Sequence, residues 1–334
     1  MKQSINKLFS CNKIKMFIAL ILVLFLIYAS FFTPYFSAML IRAVFSTTKQ
    51  EPLENYEQIA ENVTVHNDIE YSSKYGSNTL DVYLPSNGGE PHKTIVFMHG
   101  GGYVGGDKNE TKYFATSLAA SGYAVVSINY ARAPETKYPT PLMQLSEVCD
   151  FIKTDTTYNL DETNLIFAGS SAGAHAVAQF ANIQTSKKYS DLLGIEQTVP
   201  AENISVTLLY CGPYNYEIFA TQSNGFMNFM MKRSMWAYFG TYNWQEEYGH
   251  SATLKYHVTS NFPPTYITDG NIASFERDAK ELELALQELN VSVDSYYIDT
   301  EHEDASHEFQ YEMQTLHGKT VFNQTIDFLD KYAK

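Results

Sequence analysis

The sequence predicts an α/β fold: a mostly parallel central sheet flanked by helices, with a helical cap insertion and an N-terminal transmembrane helix. Three observations predict it. Short β-branched runs alternate with helical stretches from residue 63 onward. Residues 213–261 break that alternation with a stretch rich in aromatic side chains and methionine. No charged side chain occurs from residue 16 to residue 41. The 334 residues are 45% hydrophobic and 18% charged, which supplies one large core and excludes a disordered or collagenous chain.

In chain order, residues 1–45 come first. They hold five basic side chains (Lys2, Lys7, Lys13, Lys15 and Arg42) and no acidic one. As a single helix the charge-free stretch of 26 residues would be about 39 Å long, against roughly 30 Å of hydrocarbon. Four lysines precede it, so the amino terminus is expected in the cytoplasm and the body outside, on a single-pass anchor. The alternative is a cleaved signal peptide with residues 16–29 as its apolar segment, which would release a secreted protein. Residues 46–62 are polar and read as a linker or a short surface helix.

The domain proper is expected over residues 63–334. Strands are predicted at 63–71, 79–84, 94–98, 123–129, 164–168, 206–211, 265–268 and 293–298, each β-branched or continuously apolar. Helices are predicted at 112–121, 141–154, 172–185, 274–289 and 321–332. The insertion at 213–261 contains Phe226, Phe229, Met230, Met231, Met235, Trp236, Tyr238, Phe239 and Trp244. It reads either as an ordinary packed insertion or as a cap over a pocket.

Charge narrows the function classes. The net charge is −14, and beyond residue 45 all 37 acidic side chains face only 18 basic ones. Such a body repels nucleic acid. Cys11, Cys149 and Cys211 are too few for a disulfide framework or a common zinc pattern; a Cys149–Cys211 bridge is conceivable, and two buried thiols are the simpler expectation.

Two glycine motifs carry chemistry. Gly169-Ser170-Ser171-Ala172-Gly173 follows a predicted strand and precedes a predicted helix, the setting in which G-x-S-x-G makes a strained elbow that lifts the central serine above the sheet. Ser171 is therefore the candidate nucleophile. His99-Gly100-Gly101-Gly102-Tyr103 follows another predicted strand, and its bare backbone can bring N–H groups to an oxygen that becomes negative. Gly101, Gly102 and Ala172 are the expected oxyanion-hole donors. A hydroxyl nucleophile needs a base, and the chain order serine, acid, histidine leaves His302 and His307. His302 sits in the acidic run Glu301-His302-Glu303-Asp304, so His307 is preferred. The two have no third ligand at metal spacing, and no metal is expected. His99 is expected to support the glycine loop and His175 to pack within its helix.

With HGGGY at 99–103, Tyr130-Ala-Arg-Ala-Pro-Glu135, GSSAG at 169–173 and His307-Glu-Phe309, the chain from about residue 71 onward resembles the α/β-hydrolase superfamily, specifically its hormone-sensitive-lipase-like carboxylesterase and acetylesterase branch. Gly106-Asp107-Lys108 also recurs near feruloyl- and acetylesterases. The resemblance implies a Ser–His–acid triad, a backbone oxyanion hole and no cofactor. One position departs: Ala273 stands where the branch carries its aspartate. Asp269, at the end of the preceding strand, is the nearest substitute, and Glu276 the next.

The expected function is thus a serine esterase acting on small carboxylic, acetyl-type esters through Ser171, His307 and Asp269, with a small-molecule ester substrate, the membrane at its amino terminus and no nucleic-acid partner. Two alternatives remain: a binding protein that kept the pocket and lost the acid, and an amidase or peptidase on the same fold.

Overall fold

A computed structural model describes residues 2–45, 50–86, 92–219, 225–298 and 303–333. His302 and the side chains of Lys2, Lys7, Cys11 and Phe226 lie outside the described residues.

Eight strands form one sheet: β1 (Val63–Glu70), β2 (Thr79–Pro85), β3 (His92–Met98), β4 (Ala124–Ile128), β5 (Leu160–Ser170), β6 (Ile204–Tyr210), β7 (Thr265–Asp269) and β8 (Val293–Tyr297). Their spatial order is β1-β2-β4-β3-β5-β6-β7-β8. β2 pairs antiparallel with β1 and β4, and every pairing from β4 to β8 is parallel. Parallel strands covered on both faces read as unbroken apolar runs, which is why β3, β4 and β5 were visible as such. Side chains along each strand alternate between two cores. Val96 and Met98 face one, and Ile95 and Phe97 face the other.

The helices are α1 (Lys2–Phe32), α2 (Tyr35–Phe45), α3 (Tyr56–Ala60), α4 (Lys112–Ala120), α5 (Thr140–Thr154), α6 (Ala172–Thr185), α7 (Lys187–Leu193), α8 (Gly225–Phe239), α9 (Trp244–Ala252), α10 (Glu276–Glu288) and α11 (Leu316–Tyr332). Phe114 and Leu118 of α4 and Val321 and Phe328 of α11 enter one core. Leu142 and Leu145 of α5, Val177 and Phe180 of α6, and Leu282 and Leu286 of α10 enter the other, which continues into α8 and α9 of the cap.

The expected transmembrane helix needs correcting. The charge-free stretch is two helices rather than one, because Pro34 lacks an amide hydrogen and disfavours helical geometry in the residue before it. The charge-free part of α1 is 17 residues, 16–32, about 26 Å of rise against a hydrocarbon core of roughly 30 Å. Among the described residues no helix is long and apolar enough to cross a membrane. The second piece, α2, packs on the body. Ala38 and Ile41 are buried in the cap-side core. Arg42 reaches the Val104 carbonyl through Nε at 2.5 Å, the Ala133 carbonyl through Nη2 at 2.8 Å and the Glu135 carboxylate at 2.6 Å. Large apolar side chains of α1, from Met16 to Phe32, are exposed.

Candidate active site

Ser171 is made prominent by backbone geometry. β5 ends at Ser170, Ser171 adopts φ 51° and ψ −121°, and α6 starts at Ala172. A positive φ is costly for a residue with a Cβ and persists where the surroundings dictate it. The surroundings here are two close approaches: a Cβ on Gly169 would overlap the backbone of Gly173, and a Cβ on Gly173 would overlap the carbonyls of Met98 and His99. The Ser171 hydroxyl therefore sits at the positive end of α6.

The glycine loop lies beside it. Gly101 and Gly102 have φ of 98° and 59°. None of the backbone hydrogen bonds in the described turns and loops is donated by Gly101, Gly102 or Ala172, and a first-turn amide such as Ala172 has no intrahelical acceptor. Residues 130–135 buttress this loop from below. The Tyr130 hydroxyl donates to the Gly100 carbonyl at 3.0 Å, Arg132 donates to the Gly106 carbonyl at 2.9 Å, and the Ala133 amide donates to the Tyr103 carbonyl at 2.8 Å. His99 is buried, which pushes its imidazole down to about 4, and its Nδ1 lies 2.8 Å from the Gly100 carbonyl. His175 is buried inside α6 between the Tyr103 hydroxyl and the Ala252 carbonyl, a packing role.

His307 Nε2 is 2.9 Å from Ser171 Oγ. Its Nδ1 does not meet Asp269. It lies 2.8 Å from Ser274 Oγ, and the Ser274 hydroxyl in turn forms a short hydrogen bond with Asp269 Oδ1. The expectation that Asp269 orients His307 directly is thus replaced by a relay. The reason is local: Ala273 turns into the left-handed region (φ 50°) and presents the next residue, Ser274, to the imidazole. One proton arrangement fits these contacts, with Ser171 donating to Nε2, Nδ1–H donating to Ser274, and Ser274 donating to Asp269 Oδ1, while Asp269 Oδ2 is buried without a partner. Asp269 is fully buried, and burial pushes its carboxyl well up, against the opposing bonds from Ser274 and the Phe275 amide. Glu276 starts α10 and pairs with Lys280 at 2.6 Å, so it takes no part.

Burial lowers the His307 pKa and the neighbouring Glu308 carboxylate opposes the shift, leaving a neutral imidazole able to accept a proton at pH 7. Cys211 Sγ, Asp269 and His307 bring donor atoms within 4.8 Å of one another. Burial pushes the Cys211 thiol well up, however, so it stays protonated and a poor metal ligand. Both Cys149 and Cys211 are free and buried.

A cavity of about 310 Å³ opens above these groups. Gly101, Gly102, Ser171, Ala172 and His307 form its polar floor, and Tyr216, Phe219, Met227, Met231, Met235 and Phe275 form its apolar walls. The segment 213–261 therefore does contribute to a pocket. A larger groove, about 640 Å³, lies near Asn62, His92 and Gly122, away from any nucleophile–base pair. Ser274 and Glu308 are the site residues that sequence reasoning missed.

Sheet order, elbow and glycine loop together define an α/β-hydrolase. Residues 80–275 match the family model described as BD-FAE, and the chain belongs to that family. Acetyl esterase from Salmonella typhi is 30% identical over 105 residues, which cover 31% of this chain and 32% of that protein. The chain thus spans about a third of the length of the curated relatives it matches. Among solved structures, an inhibited esterase B from Lactobacillus rhamnosis superposes with TM-score 0.69 at 20% identity, covering 81% of this chain and 88% of that one. A bacterial heroin esterase does so with TM-score 0.66 at 16% identity and 89% coverage of both. At such identities the likeness is one of fold.

Proposed function

We propose that this protein is a serine esterase hydrolysing small carboxylic esters. The observation that carries the reading is the 2.9 Å contact between Ser171 Oγ and His307 Nε2, beside amides with no backbone acceptor. In this reading Ser171 Oγ attacks the ester carbonyl carbon while His307 Nε2 takes its proton. The carbonyl oxygen becomes an oxyanion held by the N–H groups of Gly101, Gly102 and Ala172. Collapse expels the alcohol, which receives the proton from His307. Water then attacks the acyl-serine with His307 again as base, and the acid leaves. Ser274 and Asp269 hold the Nδ1–H tautomer. The small apolar cavity suits a short acyl chain such as acetyl, and the Salmonella relative's name agrees. Labelling by a fluorophosphonate, lost in Ser171→Ala together with p-nitrophenyl acetate turnover, is the expected result; labelling retained in that variant would refute the nucleophile.

Ala273 and the missing direct carboxylate favour a second reading, a binding protein with a non-turning serine. Asp269→Asn separates the two: loss of measurable wild-type turnover in that variant rejects the binding protein.

The location belongs to the same proposal. The four lysines ahead of residues 16–32 and the exposed apolar face of α1 support an extracytoplasmic hydrolase domain, 63–334, held to a membrane at its amino end or released by signal cleavage. Membrane fractionation with protease protection tests this.

A further inference from the structure

The acid of a serine triad does two separable things: it fixes the imidazole's tautomer and it stabilises the positive charge that forms on the ring. In this site the fixing contact is the Ser274 hydroxyl, and the Asp269 carboxyl stands one hydroxyl further back, buried and pushed toward its neutral form. A second carboxyl group, that of Glu308, lines the same cavity as the histidine. Glu308 follows His307 with a left-handed backbone (φ 63°) that turns its side chain into the catalytic cavity. The residue is only 9% exposed, and its Oε1 is buried with no hydrogen-bond partner. That oxygen would lie 2.6 Å from a Cβ built on Gly100, a point itself 3.0 Å from the Cβ of Ser171, so the carboxyl borders both nucleophile and glycine loop.

We propose that Glu308 is the charge-balancing carboxylate of this catalytic centre, a positioning residue that stabilises the His307 imidazolium during acyl transfer while Ser274 and Asp269 fix the ring. The inference rests on the serine-esterase reading above. An orphaned acceptor is expensive in a buried site unless something offsets it, and a cation that forms transiently beside it supplies that offset at the moment it matters. The other titratable groups around the pair are few. Asp269 and Cys211 approach His307 from the sheet. Tyr130, Tyr311 and Cys211 face Glu308, and the buried Glu110 acts on the same two tyrosines, with Arg132 also acting on Tyr130; burial raises both tyrosines, and the Cys211 sulfur accepts the Glu308 amide at 3.3 Å. The Glu308 carboxylate opposes the burial-driven fall in the His307 pKa. Because the neutral imidazole is the active base, a carboxylate that favours its charged form moves the acid limb of the rate profile upward, and removing that carboxylate moves it down.

The test is the pH profile of p-nitrophenyl acetate hydrolysis by the full chain and its Glu308→Gln, Glu308→Asp and Ser171→Ala variants. Glu308→Gln is expected to lower kcat about tenfold with KM unchanged and to move the acid limb of kcat/KM down by roughly one pH unit, the scale of one neighbouring charge. Glu308→Asp is expected to recover part of both. An acid limb and kcat at wild-type values in Glu308→Gln, or an effect confined to KM, would overturn the assignment. If Glu308→Gln does not fold, a wild-type acid limb with a tenfold lower kcat in Glu308→Asp would overturn it equally. Turnover surviving in Ser171→Ala would instead sink the esterase reading, so the two failures are distinguishable.

Discussion

Ser274 is a hydroxyl where the fold usually supplies a charge, and the consequences can be measured. Removing it in Ser274→Ala leaves Nδ1–H without its hydrogen-bond partner, so kcat should fall on the order of 10²-fold, the scale of a lost acid–base contribution, with KM little changed. Ser274→Asp puts a carboxylate on Nδ1 directly and should retain far more activity than Ser274→Ala; steady-state kinetics of the two variants side by side decide it. Burial lowers His307 below the ordinary imidazole value of 6.5. The neutral form is the base, so activity should rise with pH through that lowered pKa and be complete by neutrality. A midpoint above 6.5 in kcat/KM would contradict it. Ser171 and His307, which the structure brings within 2.9 Å, were read from the glycine motif at a strand end and from the chain order serine, acid, histidine. Ser274 and Glu308 were not. Their roles come from left-handed turns at Ala273 and at Glu308 itself, and neither alanine nor glutamate advertises such a conformation.

At the scale of elements, the glycines are where sequence and geometry agree most tightly. Gly173→Ala pushes a methyl group into the Met98 and His99 carbonyls, backbone atoms that have nowhere to move in a fully buried strand end. Destabilisation of about 3 kcal/mol, in the range of overpacking a core, should appear in denaturant unfolding together with loss of fluorophosphonate labelling. The segment between β3 and α4 is a second case. Asp107 caps the turn that follows the glycine loop, and Lys108 runs inward to Asp81 at 2.7 Å and Asp68 at 2.8 Å. Asp81 is fully buried, so Lys108→Ala strands a charge and should cost about 3–5 kcal/mol, as breaking a buried pair does; the same unfolding measurement checks it. The strands were visible because a parallel sheet buries both faces and writes itself as apolar runs. α2 was misassigned for a physical reason: apolarity and absence of charge do not distinguish lipid from a protein cap, and only Pro34 marks the point at which the chain turns back onto the body.

Over the whole molecule, two cores on either side of one sheet hold the nucleophile elbow, the glycine loop and the base loop at the same sheet edge, and the cap closes over them. That convergence follows from order along the chain. β3, β5, β7 and β8 are neighbours or near neighbours in the sheet, and each gives one segment of the candidate site beyond its carboxyl end. The cap's role as a pocket wall was foreshadowed by its aromatic and methionine content, while the residues that touch the cavity depended on how α8 lies.

The Arg42 side chain joins the leader to the chemistry. One guanidinium grips the Val104 and Ala133 carbonyls and the Glu135 carboxylate, so the amino-terminal region ends in a clasp on the glycine loop and the segment that buttresses it. Anyone trimming the protein to make it easier to handle should cut after Phe32 and keep that clasp. A version starting at residue 46 is expected to lose a stitch from the glycine loop along with the exposed apolar helix.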